Sequence, residues 1–120
     1  MLKVQVRTLS GLSIIDCSGD VDLYSSPQLR ESLMKEIHPA GPNVLVNMAD
    51  VTYIDSSGIA TLVEALQLSR QTKTRFGLFS LQKNARSVLE LARLDKVFNI
   101  FNDEQEAVEK ISTVQPFAGL

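Results

Sequence analysis

Apolar and polar residues follow one another along the chain in a pattern that predicts strands and helices in turn. Val4, Val6 and Thr8 fall on one face of an extended segment. Ser10-Gly11 supplies turn residues before a second apolar stretch at residues 12–17. The opening of the chain therefore predicts a β-hairpin.

Four later segments carry apolar residues at helical spacing, with charged residues between them. They lie at residues 29–37, 59–66, 85–92 and 107–111. Ser25-Ser26-Pro27 predicts the start of the first helix, because serine caps free amides and proline fits the first turn. Asn84 predicts the N-cap of the third helix, and Asn102 precedes the last one.

Strand-like segments at residues 44–46, 75–81 and 97–101 separate these helices. The first of them is a continuous apolar run, typical of a central strand that is covered on both faces. Repeated strand–helix–strand units favour right-handed crossovers and a largely parallel sheet. We therefore predict one α/β domain with a mixed, mostly parallel five-stranded sheet and four helices, in the order β-β-α-β-α-β-α-β-α.

Composition excludes several kinds of function. Twelve Lys and Arg against fourteen Asp and Glu give a net charge of −2, without the basic excess that direct nucleic-acid binding needs. Cys17 is the only cysteine and His38 the only histidine, which excludes an internal disulfide and disfavours metal sites and His-based triads. No apolar run approaches the roughly 18 residues of a membrane span, and the N-terminus lacks a signal-peptide pattern. We expect a cytoplasmic protein with no membrane insertion, metal or cofactor.

The segment Asp55-Ser56-Ser57-Gly58 lies between the buried strand and the clearest helix. Such a junction opens onto the crevice of an α/β sheet, and the unpaired amides of the helix start point there. The two hydroxyls can cap the helix, attack a substrate or accept a phosphoryl group. Catalysis is disfavoured because a serine nucleophile needs an oriented base, and the segment is not a Gly-x-Ser-x-Gly elbow. Capping and phosphorylation are compatible, because one serine can cap while the other meets the free amides as a phosphoserine.

Two blocks of sequence stand out together. One is Gly19-Asp20-Val21-Asp22 with the residues that follow as far as 29, and the other runs from Val51 to Ile59 and contains Asp-Ser-Ser-Gly. At this separation, and with this order of elements, the chain resembles STAS-domain proteins, specifically the stand-alone anti-sigma factor antagonists of bacteria. The resemblance covers residues 2–111, which we predict to be a STAS domain. Residues 112–120 are then predicted to be a flexible C-terminal tail.

What the resemblance implies is a non-enzymatic partner switch. In that family the serine directly after the aspartate is phosphorylated, and it maps onto Ser56. The unphosphorylated domain binds an anti-sigma factor with serine kinase activity, which frees a sigma factor; the kinase then phosphorylates the serine, and a serine phosphatase resets it. The family's acidic residue near the phosphoserine maps onto Asp22. The expected partner-binding residues are Asp22, Asp55, Ser57, Gly58 and Ile59.

The chain departs from the family pattern at two places. Ala60 stands where many relatives have a second glycine, and Ala92-Arg93-Leu94 replaces a common small residue-Gly-Leu sequence. Some STAS domains keep the fold and lose the regulation. The alternative function is therefore a non-switching scaffold subunit of a transport, lipid-trafficking or sensory assembly.

Three other sets of residues could have either a structural or a functional role, and we favour the structural role for each. Asp20 and Asp22 can bind Mg²⁺ or act as acid and base, but a turn leading to a capped helix explains them more simply. Cys17 is predicted to be a small core residue rather than a reactive thiol. The remaining feature is a set of phenylalanines in the predicted strands, which we expect in the core: Phe76, Phe79, Phe98 and Phe101.

Overall fold

A five-stranded sheet forms the centre of the protein, seen in a computed structural model that describes residues 1–114. Its strands are β1 (Lys3–Leu9), β2 (Leu12–Val21), β3 (Val44–Ile54), β4 (Phe76–Phe79) and β5 (Asn99–Phe101). They lie in the order β1-β2-β3-β4-β5, with β1 antiparallel to β2 and the other neighbours parallel. The predicted hairpin and mostly parallel sheet are confirmed.

Helices pack on both faces of this sheet. They are α1 (Ser26–Glu36), α2 (Ser56–Thr72), α3 (Lys83–Leu91) and α4 (Glu104–Lys110), which continues into a short 3-10 helix at Ile111–Thr113. The larger buried cluster contains Leu29 of α1, Leu62 of α2 and Leu89 of α3, whereas Ala107 of α4 belongs to a second cluster. The predicted element order and the four helices are confirmed.

The two clusters lie on opposite faces of the central strands. Ile15 of β2 and Val46 of β3 belong to the larger cluster, while their chain neighbours Ile14 and Leu45 belong to the smaller one. Side chains alternate between faces along a strand, so β2 and β3 are covered on both sides. All four side chains are fully buried, which confirms the apolar run as a central strand. The four phenylalanines are also buried, as predicted.

The first helix starts where Ser25-Ser26-Pro27 predicted it, but the side chains that cap the helices differ from expectation. Ser25 occupies the N-cap position of α1, but its side chain caps no amide. Gln82, not Asn84, is the N-cap of α3, because the Asn84 side chain accepts a hydrogen bond from β3 instead. Asp103 caps α4 through its carboxylate, one residue after Asn102. Short polar side chains compete for several backbone partners, so their presence alone does not identify the cap.

The turn after α3 keeps a glycine-type conformation without glycine. Arg93 has a φ of 60°, in the left-handed region. Its N–H donates to the carbonyl of Glu90, and the N–H of Leu94 donates to the carbonyl of Leu89, which is the Schellman arrangement of a helix end. Arg93 therefore adopts the conformation usual for glycine at this position of a helix end, at a cost of about 1–2 kcal/mol for a left-handed L-residue.

The C-terminal end of the described chain packs against the smaller cluster. Ile111 is buried in this cluster, and Val114 is partly buried against it. The predicted tail, residues 112–120, therefore begins within the 3-10 helix, and residues 115–120 lie outside the described part of the chain. In residues 1–114, none of the helices is long and apolar enough to cross a membrane.

Candidate functional site

The candidate site lies where the neighbouring strands β2 and β3 end. The two strands are parallel, and their last paired residues are Val21 and Ile54. Asp22 and Asp55 follow these residues directly, and the N–H of Asp55 donates to the carbonyl of Val21 over 3.1 Å. The two sequence blocks, about thirty residues apart in the chain, are therefore adjacent at the edge of the sheet where α/β crevices form.

Asp55 caps α2 and closes its first turn. Its backbone is extended, with φ −108° and ψ −170°, and its carboxylate accepts hydrogen bonds from the N–H groups of Ser57 and Gly58 at 2.9 and 3.2 Å. Its carbonyl accepts the N–H of Ile59, the first bond of the helix. The capping predicted for this segment thus comes from the aspartate, and neither serine hydroxyl is used for it.

Ser56 is the first residue of α2 and is exposed. Among residues 1–114, no protein group forms a hydrogen bond with its hydroxyl. The amides expected to meet a phosphoserine are partly occupied, because Asp55 already accepts those of Ser57 and Gly58. A phosphate on Ser56 would therefore lie beside a carboxylate rather than replace it as the cap.

The other predicted partner-binding residues of this segment differ in exposure. Ser57 is half-buried, whereas Gly58 and Ile59 are buried. A Cβ on Gly58 would lie 2.5 Å from Cγ1 of Ile54 and 2.8 Å from Cγ1 of Val21, so only glycine allows this approach of α2 to the sheet. Gly58 and Ile59 therefore shape the surface mainly from beneath, and Asp55 and Ser56 form its outer part.

Asp22 organises the turn between β2 and α1. Its carboxylate accepts hydrogen bonds from the N–H groups of Ser25 and Tyr24, both at 3.0 Å. The backbone N–H of Ser25 is the main cause that holds the pKa of Asp22 below its ordinary value. Asp20 has a different partner, since its carboxylate accepts the hydroxyl of Thr52 at 3.0 Å. The two carboxylates thus have separate structural roles, and the described residues contain no cluster of three or more metal-ligating side chains.

Three exposed apolar residues near the site were not predicted from the sequence. Leu23 and Tyr24, directly after Asp22, are 66% and 90% exposed, and Tyr53 near the end of β3 is 46% exposed. Large exposed apolar side chains are typical of interaction surfaces, and Tyr53 pairs in the sheet with Asp20, two residues before Asp22. The available signal was their position, because Leu23 and Tyr24 follow the end of β2 and Tyr53 is the last residue but one of β3.

Cys17 is a core residue, as predicted. Its side chain is 3% exposed within the larger cluster, and burial raises the pKa of its thiol to about 12. A thiol with this pKa forms almost no thiolate near neutral pH, which excludes it as a nucleophile of the site.

A protein-family model identifies the fold. The model of the STAS domain matches residues 3–107. The chain belongs to the STAS-domain family. This confirms the resemblance carried by the two blocks at the ends of β2 and β3, and the domain model includes Asp22 and the whole Asp-Ser-Ser-Gly segment.

Relatives of this STAS domain are anti-sigma factor antagonists. An anti-sigma-B factor antagonist from Listeria monocytogenes is 28% identical over 105 residues, covering 88% of this chain and 91% of that protein. One from Bacillus subtilis is 23% identical over 108 residues, covering 90% and 98%. The crystal structure of an anti-sigma factor antagonist from Mycobacterium paratuberculosis has a TM-score of 0.82 at 20% identity and covers 93% of this chain and 95% of that one. The names of these relatives describe antagonists of anti-sigma factors.

Proposed function

We propose that this STAS domain is an anti-sigma factor antagonist whose binding is switched by phosphorylation of Ser56. The observation that carries the proposal is the exposed, unbonded hydroxyl of Ser56 on the first turn of α2. The names of the relatives supply the class of partner, an anti-sigma factor. In this proposal the anti-sigma factor is also the serine kinase, a serine phosphatase restores the hydroxyl, and the exchange takes place in the cytoplasm.

The surface around Ser56 suits a protein partner. Leu23, Tyr24 and Tyr53 provide exposed apolar area, and the carboxylates of Asp22 and Asp55 lie on the adjoining strand ends. Aromatic side chains are enriched in protein interfaces, where they bury large areas at little entropic cost. We propose these residues as the binding surface, with Ser57 at its edge and with Gly58 and Ile59 supporting it.

The local electrostatics explain how one phosphate would release the partner. Phosphorylation adds a charge of about −1.5 to −2. Asp55 already occupies the amides of Ser57 and Gly58, so these amides are not free to neutralise the new charge. The added charge would instead face the bound partner, where like-charge repulsion and desolvation cost several kcal/mol. A loss of about 3 kcal/mol weakens binding more than a hundredfold.

The test combines modification with binding. An anti-sigma factor with a kinase domain, chosen from the genome that encodes this protein, is incubated with this protein and ATP, and mass spectrometry locates the phosphate. We expect one phosphate on Ser56, none on Ser56→Ala, and normal modification of the control Ser112→Ala, which removes an exposed hydroxyl from the 3-10 helix. In calorimetry, the phosphorylated protein should bind at least about a hundredfold more weakly than the unmodified one.

Two results would contradict the proposal. One is modification confined to another residue; the other is equally tight binding before and after Ser56 is phosphorylated. Stable co-purification with a permease or a lipid-transport complex, unaffected by Ser56→Ala, would instead support the scaffold function.

A further inference from the structure

The strand that leads to Ser56, β3, extends far beyond its neighbour β4. β3 pairs with β2 as far as Ile54, but its pairing with β4 ends at Asn47 and Phe79. The last seven residues of β3 therefore have no strand on the β4 side. Backbone N–H and C=O groups on that side need hydrogen-bond partners other than a strand. Their positions matter for the site because β3 leads directly into the Ser56 turn.

Two side chains near the start of α3 provide partners for this extension. Nε2 of Gln82 donates to the carbonyl of Ala49 over 2.5 Å, and the N–H of Ile54 donates to Oδ1 of Asn84 over 3.1 Å. The side chains thus replace the missing strand at the beginning and at the end of the extension. The Asn84 bond is the nearer to Ser56, since Ile54 is two residues before it.

Ile54 connects the Asn84 bond to the first turn of α2. Its side chain is 1% exposed, and its Cγ1 atom lies where a Cβ on Gly58 would come within 2.5 Å. Its backbone is paired with β2 on one side and with Asn84 on the other. Any shift of Ile54 is therefore transmitted to Asp55, which caps α2, and to Ser56, which follows Asp55.

We propose that Asn84 is a positioning residue for Ser56, acting through the backbone of Ile54. This inference rests on the proposed function of Ser56 and adds a residue that the sequence pattern placed elsewhere, as a helix cap. The reason is geometric: phosphoryl transfer requires the attacking hydroxyl to be held in line with the nucleotide, and catalysis of this step depends largely on positioning. Asn84 is itself exposed, so its removal leaves no cavity in the core.

The test uses Asn84→Ala, which removes the acceptor, and Asn84→Asp, which keeps an acceptor oxygen at the same place. Amide hydrogen exchange of Ile54, measured by NMR on the isolated protein, should accelerate about tenfold in Asn84→Ala and remain close to wild type in Asn84→Asp. With the kinase, kcat for Ser56 phosphorylation should fall by up to about tenfold in Asn84→Ala, with KM little changed. Asn84→Asp should retain kcat, and any effect of its added negative charge should appear in KM alone.

A matched control separates positioning from general loosening. Gln105 is an exposed amide side chain of α4 that donates to Glu109, so Gln105→Ala also removes one surface hydrogen bond. It should change neither Ile54 exchange nor kcat. Unchanged Ile54 exchange in Asn84→Ala, or an equal loss of kcat in Asn84→Asp, would overturn the positioning role. A wild-type protein that is not phosphorylated at all would refute the proposed function, while the exchange measurement would still decide whether Asn84 holds Ile54.

Discussion

Two strand-to-helix junctions of this protein both contain a pair of serines after an aspartate. At one junction a serine hydroxyl is hydrogen-bonded to the backbone, and at the other it is not. At the β2–α1 junction, the Ser25 hydroxyl accepts the N–H of Asp22 at 2.9 Å and donates to the carbonyl of Asp20 at 2.8 Å. At the β3–α2 junction, Asp55 forms the capping bonds and the Ser56 hydroxyl has no partner among residues 1–114. A serine near a helix start is thus available for modification only where another side chain satisfies the backbone.

The packing beneath the two junctions also differs. Gly58 allows α2 to lie against the side chains of Ile54 and Val21, whereas α1 begins with Ser26, which is buried, and Pro27. Glycine in the first turn of a helix gives up intrinsic helix propensity, a cost that close packing offsets here. The α2 junction is consequently built around contact with the sheet, and the α1 junction around a local network of polar bonds.

The largest expected effect follows from that close contact. Gly58→Ala places a Cβ 2.5 Å from Cγ1 of Ile54, and we expect the free energy of unfolding to fall by about 1–3 kcal/mol in urea denaturation. Val21→Ala removes the second contacting side chain, so the double variant should lose less than the sum of the two single variants. Strict additivity would show that contact with the Val21 side chain does not contribute to the cost of Gly58→Ala.

The direct comparison of the two serines should give the next largest effect. Ser25→Ala removes a hydroxyl with two backbone partners and should lower the free energy of unfolding by about 1–2 kcal/mol. Ser56→Ala removes an exposed hydroxyl without partners and should change it by less than about 0.5 kcal/mol. Both values come from the same urea titrations followed by circular dichroism. Similar losses in the two variants would remove the distinction between the junctions.

Replacing the α2 cap should have a somewhat smaller effect. Asp55→Ala frees two amides and should cost about 1 kcal/mol of stability, measured by thermal or urea unfolding. Asp55→Asn serves as the matched control, because asparagine caps about as well as aspartate, and it should stay close to wild type. If Asp55→Asn were as unstable as Asp55→Ala, the charge and not the capping bonds would be what stabilises this turn.

The smallest effect concerns the pH dependence of the α1 junction. The folded protein lowers the pKa of Asp22, chiefly through the N–H of Ser25, below the value of about 3.9 expected in the unfolded chain. The stabilisation is therefore present above about pH 4 and is lost as the pH falls through the lower, folded-state pKa. Wild type should exceed Asp22→Asn in stability at pH 6, and the difference should shrink toward pH 3 in urea titrations. A difference that stays constant over this range would contradict the assignment.

The sequence alone predicted the fold and pointed to the candidate site. Apolar periodicity predicted the strands and helices because burial on one face of a helix, or on both faces of a central strand, restricts which positions are apolar. The Asp-Ser-Ser-Gly segment and Asp22 were identified from their motifs, and the strand order places the two blocks side by side at Val21 and Ile54.

Only the tertiary structure decided which polar atom bonds to which. Asp55, Ser25 and Asn84 are all side chains that can cap a helix, and in the folded protein one caps α2, one joins the Asp22 turn, and one accepts the N–H of Ile54. The sequence does not distinguish them, because each has several backbone partners within reach and the choice depends on strand lengths and close contacts. The free hydroxyl of Ser56 is a result of these choices, because Asp55 and neither serine caps α2.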